Sequence, residues 1–109
     1  MHLYQIQIEI EEDKADEFER SLRTNWFEFL REEGCLNYYV YQQLENKNSF
    51  CLIGEFNNYG SMENHFKSKS FGVLIGATGV LGKSFKMKHS EVMESGGLEM
   101  AKSLRMHEK

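Results

Sequence analysis

Residues 35–56 constrain this chain more than any other part of it, because they read as two strands whose faces are both apolar. The first run, residues 35–44, is Cys-Leu-Asn-Tyr-Tyr-Val-Tyr-Gln-Gln-Leu, and the second runs from Ser49 to Phe56. Between them lies a polar turn, Glu45-Asn46-Lys47-Asn48. A hairpin that sets Leu44 opposite Ser49 puts Tyr39, Tyr41, Phe50, Leu52 and Phe56 on one face. Tyr38, Val40, Cys51 and Ile53 share the other. The helices of a 109-residue chain can cover only one face of such a sheet. The simplest cover for the second is another copy of the chain, with two sheets packed face to face in a homodimer.

The flanking segments supply the rest of the fold. Tyr4, Ile6, Ile8 and Ile10 alternate with Gln5, Gln7 and Glu9, which is the period of a half-buried strand. The period then changes to three and four: Ala15, Phe18, Leu22, Trp26, Phe29 and Leu30 form the apolar stripe of a long helix. Asp13 is its expected N-cap and Gly34 its C-terminal stop. Ser61 is expected to cap a short helix through Met62, His65 and Phe66. Ser70 should start a second helical piece, which Gly76, Gly79 and Gly82 should fray. Residues 83–92 alternate Phe85, Met87 and His89 against Lys86 and Lys88 as a last strand. The order β-α-β-β-α-β predicts an α+β, ferredoxin-like split βαβ fold with strand order 4-1-3-2. Residues 1–92 are expected to form one domain. Residues 93–109 form a tail that offers a further amphipathic turn or two through Leu98, Ala101 and Leu104.

Charge and cysteine usage narrow the classes of partner. The net charge is −4, with no basic stripe, which argues against nucleic acid because phosphate binding needs clustered Lys and Arg. No apolar run approaches the ~18 residues of a membrane span. The N-terminal stretch lacks a basic region and a small-residue cleavage site. Two free thiols in a cytoplasmic protein are therefore expected. In the hairpin register Cys35 and Cys51 are not opposite each other, which speaks against a disulfide.

The run EEGCLNYYVYQQLENKNSFCLIGEF, followed by NHFKSKSFGVL, resembles the antibiotic biosynthesis monooxygenase family. The matching residues are Glu33, Gly34, Cys35, Leu36, Phe50, Glu55, Phe56, His65, Ser68 and Phe71, and the likeness extends over roughly residues 3–90. The resemblance implies a dimeric α+β barrel with a pocket between sheet and helices. It implies a small-molecule substrate, a phenol or quinol oxygenated without metal, flavin or other cofactor. Two departures stand out. Phe56 occupies a position where members often carry Trp, and Ile75 stands where the haem-degrading branch carries its proximal His. The EEDKADEFER run and the EEG turn also resemble the family's isomerase branch, which processes a phosphorylated carbonyl signal.

His65 is the first catalytic candidate, since a neutral imidazole can remove a phenolic proton near neutral pH. It could equally be a helix histidine packed at a subunit interface. Tyr38, Tyr39 and Tyr41 could orient a substrate oxygen or stabilise an oxyanion. Because they alternate they cannot all face one pocket, and Tyr39 and Tyr41 are the candidates. Phe56, Phe66, Phe71 and Trp26 are candidate pocket walls, with Trp26 able to stack on a flat ligand. Asn25, read as lying off the centre of the helix stripe, joins them as a candidate. No metal site is expected: His2, His89 and His107 fall in separate elements and no cysteine pair has ligand spacing. Three functions fit: a cofactor-independent monooxygenase, an isomerase that would draw on Lys86 and Lys88 for a phosphorylated substrate, and a non-catalytic dimeric binding module.

Overall fold

Tyr4, Ile6, Ile8 and Ile10 are each at most 1 % exposed, so one face of the first strand forms the floor of the core. The computed structural model describes residues 1–106. Its elements are β1 (His2–Ile10), α1 (Ala15–Arg31), β2 (Cys35–Gln43), β3 (Asn46–Phe56), α2 (Tyr59–Phe66), α3 (Lys69–Leu81), β4 (Gly82–Glu91) and α4 (Leu98–Met106). The four strands form one antiparallel sheet in the order β2-β3-β1-β4, the expected ferredoxin-like order read from its other edge. Phe18, Leu22 and Phe29 of α1, Met62 of α2, and Phe71, Leu74 and Leu81 of α3 close over one face of the sheet. Among the described residues no helix is long and apolar enough to cross a membrane.

The hairpin differs from expectation by one residue, and that changes which side chains share a face. Tyr38 pairs with Gly54, Val40 with Leu52 and Tyr41 with Cys51, because the turn is tighter than expected and the register shifts between Gln42 and Gln43. In a pleated sheet a one-residue slip moves a side chain to the opposite face. Tyr38 and Val40 therefore join Phe50, Leu52 and Phe56 under the helices. Tyr39 and Tyr41 join Cys51 and Ile53 on the open face. That face is apolar only toward β2 and β3. Gln5 and Gln7 of β1 pair with Lys88 and Lys86 of β4 across its other half. The cysteines are free.

The helix ends are also set differently. Asp13 is not the N-cap of α1: it takes a left-handed φ of 74°, and Lys14 fills the cap position without a side-chain hydrogen bond. α2 is capped by Asn58, whose side chain accepts from the Ser61 backbone N–H, and α3 by Ser68, which accepts from that of Phe71. α3 runs unbroken through Gly76 and Gly79 to Leu81. Its buried stripe of Phe71, Leu74, Thr78 and Leu81 outweighs the glycine cost, and both glycines face open space. α1 ends at Glu32, and Gly34, with φ of 82°, turns the chain into β2.

Gly34 should tolerate no side chain. Its φ lies in the region that costs an L-residue about 1–2 kcal/mol, and a Cβ there would land on the Ser61 side chain. Gly34→Ala is expected to lower the unfolding free energy by about 2 kcal/mol or more. A urea midpoint unchanged from wild type would contradict this.

Candidate active site

Gly54 organises the site by what it lacks. It pairs with Tyr4 on β1 and with Tyr38 on β2, so the two tyrosines flank a position without a side chain. A Cβ at Gly54 would lie 2.8 Å from the Tyr4 ring and 3.0 Å from that of Tyr38. Over that gap the two phenol oxygens meet at 2.6 Å. Both residues are buried, at 0 % and 2 % exposure. Burial pushes both phenols above their ordinary range, so both remain protonated.

His65 completes the cluster from α2. Its Nε2 is 2.7 Å from the Tyr4 oxygen and its Nδ1 is 2.6 Å from Glu32 Oε1, at the end of α1. Around the imidazole stand Phe29, Phe56 and Phe71, with ring centres 4.7, 4.9 and 5.0 Å away. Phe66 lies beyond them at 5.8 Å. This dry setting lowers the His65 pKa to about 4 and, with like charge from Glu28 on the same helix, raises that of Glu32 to about 7. The Glu32 side chain is 23 % exposed while that of His65 is 0 %, so Glu32 links the buried cluster to water.

A cleft of about 190 Å³ opens between α1 and β2. Leu22, Trp26, Val40 and Phe50 wall it, and Glu19 and Arg23 stand at its rim. Trp26 donates its indole N–H to the Tyr38 backbone carbonyl at 2.7 Å, which ties the cleft to the strand that carries the buried phenol. Asn25, contrary to expectation, lies in the buried stripe of α1 between Leu22 and Phe29 and is 4 % exposed. Its amide nitrogen has no hydrogen-bond partner. A buried orphan donor costs about 1–3 kcal/mol, so it marks a position where stability is held below its optimum.

The structure thus gathers His65, Phe56, Phe66 and Phe71 around one point and sets Trp26 and Asn25 on the helix above the sheet. Tyr39 and Tyr41 do not join them. They stack on each other on the opposite face of the sheet, with ring centres 6.1 Å apart. Lys86 and Lys88 also lie on that opposite face. Tyr4 and Glu32, which sequence reasoning did not single out, contact His65 directly. The available signal was a lone polar-tipped residue in an isoleucine face, and a glycine inside an apolar strand. His2 and His89 sit on neighbouring strands, and their ring nitrogens are 3.1 Å apart. Among the described residues no three His, Cys, Asp or Glu side chains converge as a metal site. His107 falls outside the described residues.

Comparison with known proteins gives a consistent picture. The model of the family described as antibiotic biosynthesis monooxygenase matches residues 1–75. No curated protein matches the chain. Among solved structures, a conserved protein from Methanosarcina mazei is 25 % identical with a TM-score of 0.76, over 83 % of this chain and 91 % of that one. Rv0793 from Mycobacterium tuberculosis is 12 % identical with a TM-score of 0.81, over 88 % and 98 %. PA3566 from Pseudomonas aeruginosa is 20 % identical with a TM-score of 0.78, over 85 % and 94 %.

The shifted groups have opposite pH signatures. Glu32, raised from 4.5 to about 7, contributes stability at low pH that is lost as pH rises through 7. His65, lowered from 6.5 to about 4, contributes stability above 6.5 that is lost as pH falls through 4. The two slopes oppose each other between 4.5 and 6.5. Glu32→Gln should leave the His65 slope alone, so the urea midpoint of the variant should fall from pH 6.5 to 4 more steeply than that of wild type. Parallel profiles would show that the Glu32 carboxyl is not raised in the fold.

Proposed function

This chain belongs to the antibiotic biosynthesis monooxygenase family, and from that premise we propose that it is a cofactor-independent monooxygenase of small aromatic quinols. The observation that carries the reading is the imidazole of His65: buried, held neutral, and bonded through Tyr4 to the phenol of Tyr38. A neutral imidazole is the base that quinol oxidation needs. Removing a phenolic proton makes an electron-rich aryloxide, which can pass an electron to O2. Recombination at a ring carbon and loss of water then turn a dihydroxynaphthalene and O2 into a hydroxynaphthoquinone and H2O.

The ligand in this reading is a flat ring in the α1–β2 cleft, against Trp26 and the apolar side chains of Leu22, Val40 and Phe50. The cleft is smaller than the roughly 300 Å³ at which drug-sized sites begin, which suits one or two fused rings. Tyr38 and Tyr4 take the role that the sequence reading gave to Tyr39 and Tyr41. A second copy would cover the open face at Tyr39, Tyr41 and Ile53, as the dimer expected from the hairpin requires.

Oxygen uptake with a dihydroxynaphthalene tests the activity. The wild-type chain should consume O2, and His65→Ala should reduce the rate by the 10²–10⁴-fold typical of losing a general base. Asn25→Leu should raise the thermal midpoint by removing an orphan donor. Absence of uptake by the wild type would overturn the quinol reading. The dimer is tested separately: sedimentation should give a two-copy mass for wild type and a one-copy mass for Tyr41→Glu, and a one-copy mass for both would remove it.

A further inference from the structure

Both ring nitrogens of His65 are already engaged, Nδ1 by Glu32 and Nε2 by Tyr4. A proton can therefore reach the imidazole only through its neighbours, and the Tyr4 and Tyr38 hydroxyls form the connected path. A neutral imidazole has one N–H donor and one lone pair, and each hydroxyl has one O–H, so the four groups form a chain with a direction. When Glu32 is ionised it accepts Nδ1–H. Nε2 then accepts the Tyr4 O–H, and the Tyr4 oxygen accepts the Tyr38 O–H. Tyr38 is left with a lone pair facing outward from the chain. When Glu32 is protonated every bond reverses. The carboxyl O–H donates to Nδ1, Nε2–H donates to Tyr4, Tyr4 donates to Tyr38, and the Tyr38 O–H is left to donate outward.

We infer that the Glu32 carboxyl sets the direction of the Glu32–His65–Tyr4–Tyr38 chain and so decides whether Tyr38 takes a proton from the ligand or gives one. The ligand half of this inference rests on the acid–base reading of the site, and the direction of the chain does not. The proton count closes. The ligand O–H passes its proton to the Tyr38 oxygen as Tyr38 passes its own to Tyr4, Tyr4 to Nε2, and Nδ1 to Glu32. The ligand becomes an anion, Glu32 becomes a neutral acid, and no tyrosinate or imidazolium accumulates. The reversed chain then points the Tyr38 O–H at the new anion, where it stabilises the charge. Glu32 returns its proton to water through its exposed edge. Glu32 is a positioning residue in this scheme, and Tyr38 is the group that meets the ligand.

The titratable groups that face this centre are Glu28 on α1, Tyr4 on β1, and Cys35 and Tyr38 on β2. Burial pushes the Cys35 thiol up to about 11. The Tyr4 and Tyr38 phenols move the same way, whereas Glu32 is raised to about 7.

Nitrogen-15 NMR of the full chain from pH 5 to 9 reads the direction without any substrate. Wild type should carry its His65 ring proton on Nε2 at low pH and on Nδ1 at high pH. The exchange should centre near 7, where Glu32 titrates, with no doubly protonated ring between. In Glu32→Gln one tautomer should persist over the whole range. The same tautomer throughout in wild type, an imidazolium near pH 6.5, or an exchange that survives in the variant would overturn the inference. Should the variant fail to fold, the carboxyl carbon shift of Glu32 in wild type must titrate at the pH of the tautomer exchange, and a mismatch overturns it equally. Quinol-driven O2 uptake should rise about tenfold per pH unit below that midpoint in wild type and show no such limb in the variant. Wild-type chain that exchanges tautomers but takes up no O2 would remove the quinol reading alone.

Discussion

The hydrogen bond between Tyr4 and Tyr38 depends on an empty volume, the missing side chain of Gly54 between them. Strands two places apart in a sheet are about 9–10 Å apart, twice the spacing between neighbours. Phenols on β1 and β2 meet only by leaning over the middle strand, and a Cβ at Gly54 would separate them. The rest of the site follows from that contact. The pair presents an oxygen to His65, and His65 must leave α2 toward the sheet to reach it. Glu32 meets the other side of the imidazole because α1 stops at that residue before Gly34 turns the chain.

Such a cluster is an unusual use of a small core. Burying hydroxyls, an imidazole and a carboxyl is costly unless each is bonded, and here each finds a partner inside the chain of four. The surrounding phenylalanines raise the stakes by excluding water, which strengthens the bonds formed and holds Glu32 and His65 near their neutral forms. Asn25 breaks the pattern, since its amide nitrogen is buried without a partner a few residues from these groups. Local disagreement with the rules of a satisfied core is what function leaves behind when it is selected over stability.

The two faces of the sheet divide the molecule's roles. The helix-covered face holds the hydrogen-bonded chain and the cleft beside Trp26. The open face carries Tyr39, Tyr41, Cys51 and Ile53 at one end and Lys86, Lys88 and glutamines at the other. Which tyrosine belongs to which face hinged on one residue of register near Gln42 and Gln43.

The sequence by itself determined the element order, the ferredoxin-like topology and the four-residue apolar face of β1. These follow from period-two and period-3.6 patterns, which are local and survive errors of a residue or two at the ends. Tertiary structure alone decided the hairpin register, the caps at Asn58 and Ser68, and the survival of α3 through its glycines, because each depends on packing against groups distant in sequence. It alone bonded Tyr4 and Glu32 to His65 and Tyr38 to Tyr4. Those pairs lie 61, 33 and 34 positions apart along the chain. Hydrogen bonds across such separations are set by where strands and helices come to rest on one another, which no local pattern records.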